Sequence, residues 1–165
     1  MNIYRRLICQ PSRPYWLYCL RVTLLAVTPA LVVSALLYLA MYAFNVDPSS
    51  QGPKELQATA IDVFGTVIFA PVVETLVLAW TVTLARSANI SMKKISIASA
   101  IAWGLLHGLQ SWVKFFPTAW GFFVFTTAYQ VWREVSFKRA FFAALLPHAL
   151  GNSFVMAVVF ATAGA

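Results

Sequence analysis

Residues 23–44 read TLLAVTPALVVSALLYLAMYAF, an uncharged stretch that decides the fold of this chain. A helix needs about 20 such residues to cross the hydrocarbon core of a membrane. The whole chain agrees, because 61% of its 165 residues are hydrophobic, 10% are charged and its mean hydropathy is +0.75. Soluble domains are about 45–50% apolar and about 25% charged. The composition therefore excludes a soluble enzyme, a disordered tail and a disulfide scaffold.

Apolar runs divide the chain into five candidate spans, at about residues 15–44, 59–85, 94–113, 118–132 and 139–163. Lipid offers no hydrogen-bond partners to the backbone, so each span is expected to be a helix. The sequence predicts an all-α membrane protein with about five transmembrane helices in a single integral membrane domain, residues 1–165. It consists of a basic N-terminal segment, residues 1–20, and a motif-bearing helical core at about residues 59–163.

The basic residues, which give a net charge of +7, alternate in density from loop to loop. Ten of the twelve belong to one side: Arg5, Arg6, Arg13, Arg21, Arg86, Lys93, Lys94, Arg133, Lys138 and Arg139. The positive-inside rule then predicts a cytoplasmic N-terminus and a C-terminus outside. The first apolar run is too long for a signal peptide and further spans follow, so we expect it to remain as an anchor.

Four polar residues stand out within the predicted spans: Glu74, His107, His148 and Asn152. An ionisable side chain at the centre of a membrane helix costs at least ~2.5–3.5 kcal/mol. At about 1.5 Å of rise per residue, all four lie about 14–20 Å from the basic ends of their helices. His148 and Asn152 are four residues apart and share a helix face. We therefore expect the four side chains to meet near the middle of the membrane.

The backbone around these residues is also unusual. Pro71 and Pro147 each remove a helical hydrogen bond and are expected to free a carbonyl close to a polar side chain. Gly104 and Gly108 bracket His107 at a spacing that allows another helix to approach closely.

Structural interpretations exist for each feature taken singly. An intramembrane His or Asn is often only a hydrogen-bond partner between helices. Asp62 lies near the end of its span, where a carboxylate reaches water, and we expect it to be structural. The aromatic residues of the fourth segment are expected to face lipid: Trp120, Phe122, Phe123 and Phe125. Glu74 is harder to explain, because no Lys or Arg lies at its depth. It must be protonated, bonded to a histidine or in contact with water.

One carboxylate, two imidazoles and one amide form a hydrolytic set. Glu74 could take a proton from a water oriented by one histidine, while the other histidine and Asn152 donate hydrogen bonds to an oxyanion. The same residues could instead hold zinc, with Glu74, His107 and His148 as ligands and an open fourth position. The spacing does not separate the two chemistries, so no cofactor is predicted and zinc stays open.

Three short motifs, in this order, resemble those of a known family. Residues 70–80 read APVVETLVLAW, residues 103–107 read WGLLH and residues 148–152 read HALGN. They are similar to the EExxxR, aromatic-xxx-His and HxxxN motifs of the CAAX protease and bacteriocin-processing (CPBP, abortive infection) family of intramembrane endopeptidases. The resemblance implies that Glu74 and His107 activate water, and that His148 and Asn152 stabilise the oxyanion. This family is now regarded as glutamate-dependent, although it was long treated as metal-dependent.

Two positions depart from the family pattern, since Thr75 replaces the second Glu and Ala79 replaces the Arg. The joint loss of two charges leaves no uncompensated partner, which is typical of a divergent branch.

The sequence as a whole predicts an intramembrane protease in the plasma (inner) membrane of a prokaryote, acting on a membrane protein, a peptide or a lipidated substrate and not on nucleic acid. The alternatives are a non-catalytic immunity or scaffold protein of the same fold and a proton-coupled transporter.

Overall fold

The computed structural model describes residues 8–46 and 59–163, and throughout these ranges the regular structure is helical, with no strand. The five helices, in chain order, are α1 Tyr15–Ala43, α2 Ala60–Ser87, α3 Met92–Gly108, α4 Phe115–Arg133 and α5 Phe137–Ala163. The segment Phe64–Phe69 of α2 is a π-helix, and a 3₁₀ turn, Trp112–Lys114, leads into α4. Residues 1–7 of the predicted basic segment lie outside the described residues, and so does Lys54.

Helices α1, α2 and α5 are long and apolar enough to cross a membrane. Within the described residues the prediction of an all-helical fold is confirmed, and three of the five helices found there are candidates for the predicted membrane spans. The other two are shorter, with 17 residues in α3 and 19 in α4. Helix α4 packs against every other helix, so most of its surface contacts protein.

The central position of α4 corrects one prediction from the sequence. Phe122 and Phe125 do not face lipid, since they are only 3% and 6% exposed and belong to the core of the bundle. Trp120 and Phe123 are partly buried and pack against that core. Lipid and a protein core are both apolar, so aromatic composition alone does not distinguish the two environments.

An ordered chain of hydrogen bonds joins α3 to α4. Gln130 Nε2 donates to the Met92 carbonyl at 3.2 Å and to Ser96 Oγ at 3.0 Å. Thr127 Oγ1 donates to the Phe123 carbonyl at 2.8 Å, so the 3.0 Å contact between Ser96 and Thr127 has Ser96 as donor. The hydroxyls of Ser96 and Thr127 thus each accept and donate a hydrogen bond, which satisfies these two buried groups between the helices.

Close approach of α4 to α3 depends on two glycines, as the small-residue spacing predicted. A Cβ added at Gly104 would lie 2.9 Å from Ala119 Cβ and 3.2 Å from the Phe115 carbonyl oxygen. One added at Gly108 would lie 3.3 Å from Phe115 Cβ. A side chain at Gly104 would therefore push the two helices apart.

Helix α1 is tied to α4 at a backbone carbonyl that a proline leaves without its helical partner. In an α-helix the Leu25 carbonyl accepts from the N–H four residues later, but that residue is Pro29, which has none. Trp120 Nε1 donates to the Leu25 carbonyl instead, at 2.8 Å. A side chain from another helix thus replaces the missing donor.

The ends of four helices meet at one end of the bundle, here called the basic end. Arg86 at the end of α2 forms an ion pair with Glu134, directly after α4. Tyr15 at the start of α1 donates to the Arg139 carbonyl of α5 at 2.7 Å, and its ring contacts that of Trp132 edge to face at 4.8 Å. These contacts bring several of the alternating basic clusters to the same end.

Candidate active site

The structure brings three of the four predicted site residues together between α2, α3 and α5. Glu74 Oε1 lies 3.9 Å from His107 Nε2, and Glu74 Oε2 lies 3.5 Å from His148 Nε2. The side chain of His148 is 8% exposed, while those of Glu74 and His107 are 18% and 26% exposed. The carboxylate thus lies between two imidazoles in a largely apolar surrounding, and its Oε2 accepts no hydrogen bond from the described residues.

The hydrogen bond made by His107 fixes which of its nitrogens carries the proton. Its Nδ1 lies 3.0 Å from the carbonyl oxygen of Trp103, one turn earlier on α3. A carbonyl only accepts, so Nδ1 is the donor and the Nε2 of a neutral imidazole presents its lone pair towards Glu74. A water about 2.8 Å from both Nε2 and Glu74 Oε1 fits across the 3.9 Å between them and could donate one hydrogen to each.

Aromatic side chains that the motifs do not include hold the imidazole of His148. Its ring stacks on Phe125, with centroids 5.1 Å apart, and meets Phe122 edge to face at 5.3 Å. Phe122 in turn stacks on Trp103 at 4.4 Å, with the two planes 10° apart. The aromatic residues of α4 therefore form one wall of the site and connect the surroundings of the two histidines.

Asn152 makes its hydrogen bond to α2. Its Nδ2 donates to the Thr66 carbonyl at 2.8 Å. In the π-helical segment the Ala70 N–H donates to the Gly65 carbonyl, five residues back. In the same pattern the Thr66 carbonyl would accept from the N–H of residue 71. That residue is Pro71, which has no N–H, and Asn152 supplies the hydrogen bond instead. The expectation that Pro71 frees a carbonyl near a polar side chain is confirmed.

The two departures from the family motif lie on the buried face of α2. Thr75 is 1% exposed and Ala79 is 5% exposed, and they are one helical turn apart. A Glu and an Arg at these positions would be neighbours in the core, where the loss of one alone would leave a buried charge. Asp62 has a structural role at the start of α2, since its carboxylate accepts a hydrogen bond from Thr59 Oγ1 at 2.7 Å.

Across residues 8–46 and 59–163, the described His, Cys, Asp and Glu side chains include no group of three or more arranged to hold a metal ion. Zinc binding by Glu74, His107 and His148 therefore stays a prediction for experiment. What the arrangement offers is a carboxylate and an imidazole lone pair that face a common gap, with a second imidazole next to them.

No family model matches the chain, no curated protein matches it, and no solved structure matches it.

Proposed function

We propose that the chain is an intramembrane endopeptidase that hydrolyses a peptide bond in a membrane-associated or lipidated substrate. The observation that carries this proposal is the position of Glu74, 3.9 Å from His107 and 3.5 Å from His148, inside an apolar helical bundle. A carboxylate in such a place is costly unless it is used or neutralised. The resemblance of the three motifs to those of the CAAX protease and bacteriocin-processing family favours the same chemistry.

Proton transfer to Glu74 starts the proposed reaction. A water between Glu74 and His107 gives one proton to the carboxylate while its other O–H donates to His107 Nε2. The water oxygen then attacks the scissile carbonyl carbon, and the electron pair of the C=O bond moves to the carbonyl oxygen. When the tetrahedral intermediate collapses, the C–N bond breaks and the leaving amine takes the proton from Glu74.

Two donors are assigned to the oxyanion of that intermediate, an imidazole N–H of His148 and an amide N–H of Asn152. The Asn152 amide carries two N–H groups, of which one is bonded to Thr66. Contacts of His148 with Phe122 and Phe125 keep its ring in place, so that little reorganisation is needed when the charge forms.

The proposed membrane topology has five spans, with the basic end of the bundle in the cytoplasm and the C-terminus outside. A prokaryotic plasma membrane is the proposed location. The meeting of helix ends at the basic end supports one common side for the basic residues, and the positive-inside rule assigns that side to the cytoplasm.

Cleavage by the full chain in liposomes tests the proposal. Three membrane-anchored peptides serve as substrates: one with a prenylated C-terminus, one with a leader sequence and one with a C-terminal membrane anchor. New termini are identified by mass spectrometry. We expect Glu74→Gln to lower cleavage by about 10²–10⁴-fold, because a general base contributes that much. Asp62→Asn, the equivalent loss of a carboxylate in the first turn of the same helix, serves as the matched control and should leave the rate unchanged.

Chelators separate the two chemistries that the sequence leaves open. The proposed mechanism expects cleavage to continue in the presence of 1,10-phenanthroline. Loss of cleavage that added zinc restores would assign a metal to Glu74, His107 and His148 instead. Cleavage by Glu74→Gln at the wild-type rate would contradict both mechanisms.

The main alternative is a non-catalytic immunity or scaffold protein, and the buried Thr75 and Ala79 are the observation that favours it. If this alternative holds, the wild-type protein cleaves none of the three peptides. The Glu74→Gln variant then assembles, and confers immunity, as the wild type does. A proton-coupled transporter would instead show a proton flux in proteoliposomes that Glu74→Gln abolishes.

A further inference from the structure

A cavity at the basic end is separate from the candidate active site and shares no residue with it. It has a volume of about 540 Å³ and is lined by Arg13, Pro14, Tyr15, Trp132 and Arg139. These residues come from the segment before α1, the start of α1, the end of α4 and the start of α5. The volume lies within the range of about 300–1,000 Å³ that is typical of sites for small organic ligands.

The charge of this cavity is positive, because its lining includes two arginines and no acidic residue. Within the two described ranges, no carboxylate lies within 4.0 Å of the guanidinium of Arg13 or Arg139. A smaller cavity of about 230 Å³ at the same end also contains arginines, but there Glu134 is a lining residue and forms an ion pair with Arg86. The larger cavity therefore differs from the smaller one in having two arginines and no carboxylate among its lining residues.

Contacts among Tyr15, Trp132 and Arg139 fix the aromatic wall of this cavity. The Tyr15 and Trp132 rings pack edge to face at 4.8 Å, and the Tyr15 hydroxyl is held by the Arg139 carbonyl at 2.7 Å. The Arg139 guanidinium lies 5.7 Å from the centre of the Trp132 ring, within the range of a cation–π contact. Trp and Tyr beside arginines at helix ends are typical of the level at which lipid headgroups lie.

We propose that this cavity binds the headgroup of an anionic phospholipid. Guanidinium groups bind phosphate oxygens through two parallel hydrogen bonds, and two of them line the cavity. Basic pockets between membrane helices are known to take anionic headgroups. A volume of about 540 Å³ has room for the glycerol as well as the phosphate, and its position at the ends of α1 and α5 leaves the acyl chains beside two apolar helices.

Lipid binding to the purified full chain in a neutral detergent tests the assignment. Native mass spectrometry measures the affinity for dioleoyl phosphatidylglycerol, with dioleoyl phosphatidylcholine as the neutral comparison. We expect the double variant Arg13→Gln/Arg139→Gln to bind phosphatidylglycerol at least about tenfold more weakly, since two charge-assisted contacts are removed. The bond between Tyr15 and residue 139 uses a backbone oxygen, so both substitutions leave it intact.

The matched control is Lys93→Gln/Lys94→Gln, which removes the same charge from exposed positions in the first turn of α3. We expect it to change the affinity by less than about twofold, because these residues do not line the cavity. Equal losses in the two double variants would overturn the proposal in favour of diffuse surface attraction. Complete displacement of the lipid by millimolar sodium phosphate would overturn it in favour of a soluble anion.

Discussion

The hydrogen bond from Asn152 to the Thr66 carbonyl leads to a quantitative prediction. Asn152→Ala removes the donor that replaces the missing N–H of Pro71 and leaves a carbonyl without a partner between α2 and α5. An orphaned polar group of this kind costs about 1–3 kcal/mol. We expect the free energy of unfolding to fall by that amount.

A second substitution shows whether the cost has this origin. In a Pro71→Ala background residue 71 regains an N–H, which can donate to Thr66 in the i+5 pattern already used by Ala70 and Gly65. Asn152→Ala should then cost at least about 1 kcal/mol less than it does in the wild-type background. The difference between the two costs is the coupling energy, which a double-mutant cycle isolates from the loss of proline packing.

Reversible unfolding of the full chain in mixed micelles of dodecyl maltoside and SDS, followed by circular dichroism, measures the stability of the wild type, the two single variants and the double variant. Ser153→Ala is the matched control, because Ser153 Oγ donates only within its own helix, to the Ala149 carbonyl at 2.8 Å. We expect that control to change the free energy by less than about 0.5 kcal/mol. An equal cost of Asn152→Ala in both backgrounds would refute the explanation. An unchanged stability with slower cleavage would leave Asn152 as an oxyanion donor alone.

Two more substitutions are accessible to the same unfolding assay. Trp120→Phe should cost about 1–3 kcal/mol, and Pro29→Ala should reduce that cost by restoring the helical donor; a cost that the proline substitution does not change would contradict the assigned role. Gly104→Ala should cost about 1–3 kcal/mol, because its Cβ would lie 2.9 Å from that of Ala119. Gly65→Ala, whose Cβ meets nothing within 4 Å, is the control and should be neutral or stabilising.

Depth along the helices was enough to predict which ionisable residues meet. Glu74, His107 and His148 were placed at similar distances from the basic ends, and their side chains do converge. The inference works because an apolar surrounding leaves a carboxylate few partners other than polar groups at its own level. It does not extend to the partner of Asn152, because that hydrogen bond depends on a local change from α- to π-helical register at Thr66.

The position of α4 was not predictable from hydropathy, because both lipid and the protein core accept Phe and Trp. Its polar residues carried a better signal. The Gln130 amide would lack a partner in lipid, and in the structure it donates to Met92 and Ser96 of α3, while Thr127 contacts Ser96. A span that combines many aromatic residues with hydroxyl and amide side chains is therefore better interpreted as the central helix of a bundle, with the polar face marking its contacts.

Two internal prolines mark carbonyls that accept a hydrogen bond from another helix. A proline in the body of a membrane helix leaves one carbonyl without its helical donor, four residues back in α-helical register and five back in π-helical register, and lipid supplies none. Trp120 of α4 donates to the carbonyl that Pro29 leaves without a donor, and Asn152 of α5 donates to the one that Pro71 leaves. Both donors come from helices that also contribute side chains to the candidate site, α4 and α5. Each proline thus marks a place where two helices are joined by a hydrogen bond. Pro71 lies a single turn before Glu74, so the bond from Asn152 to Thr66 holds this part of α2, with its carboxylate, against α5.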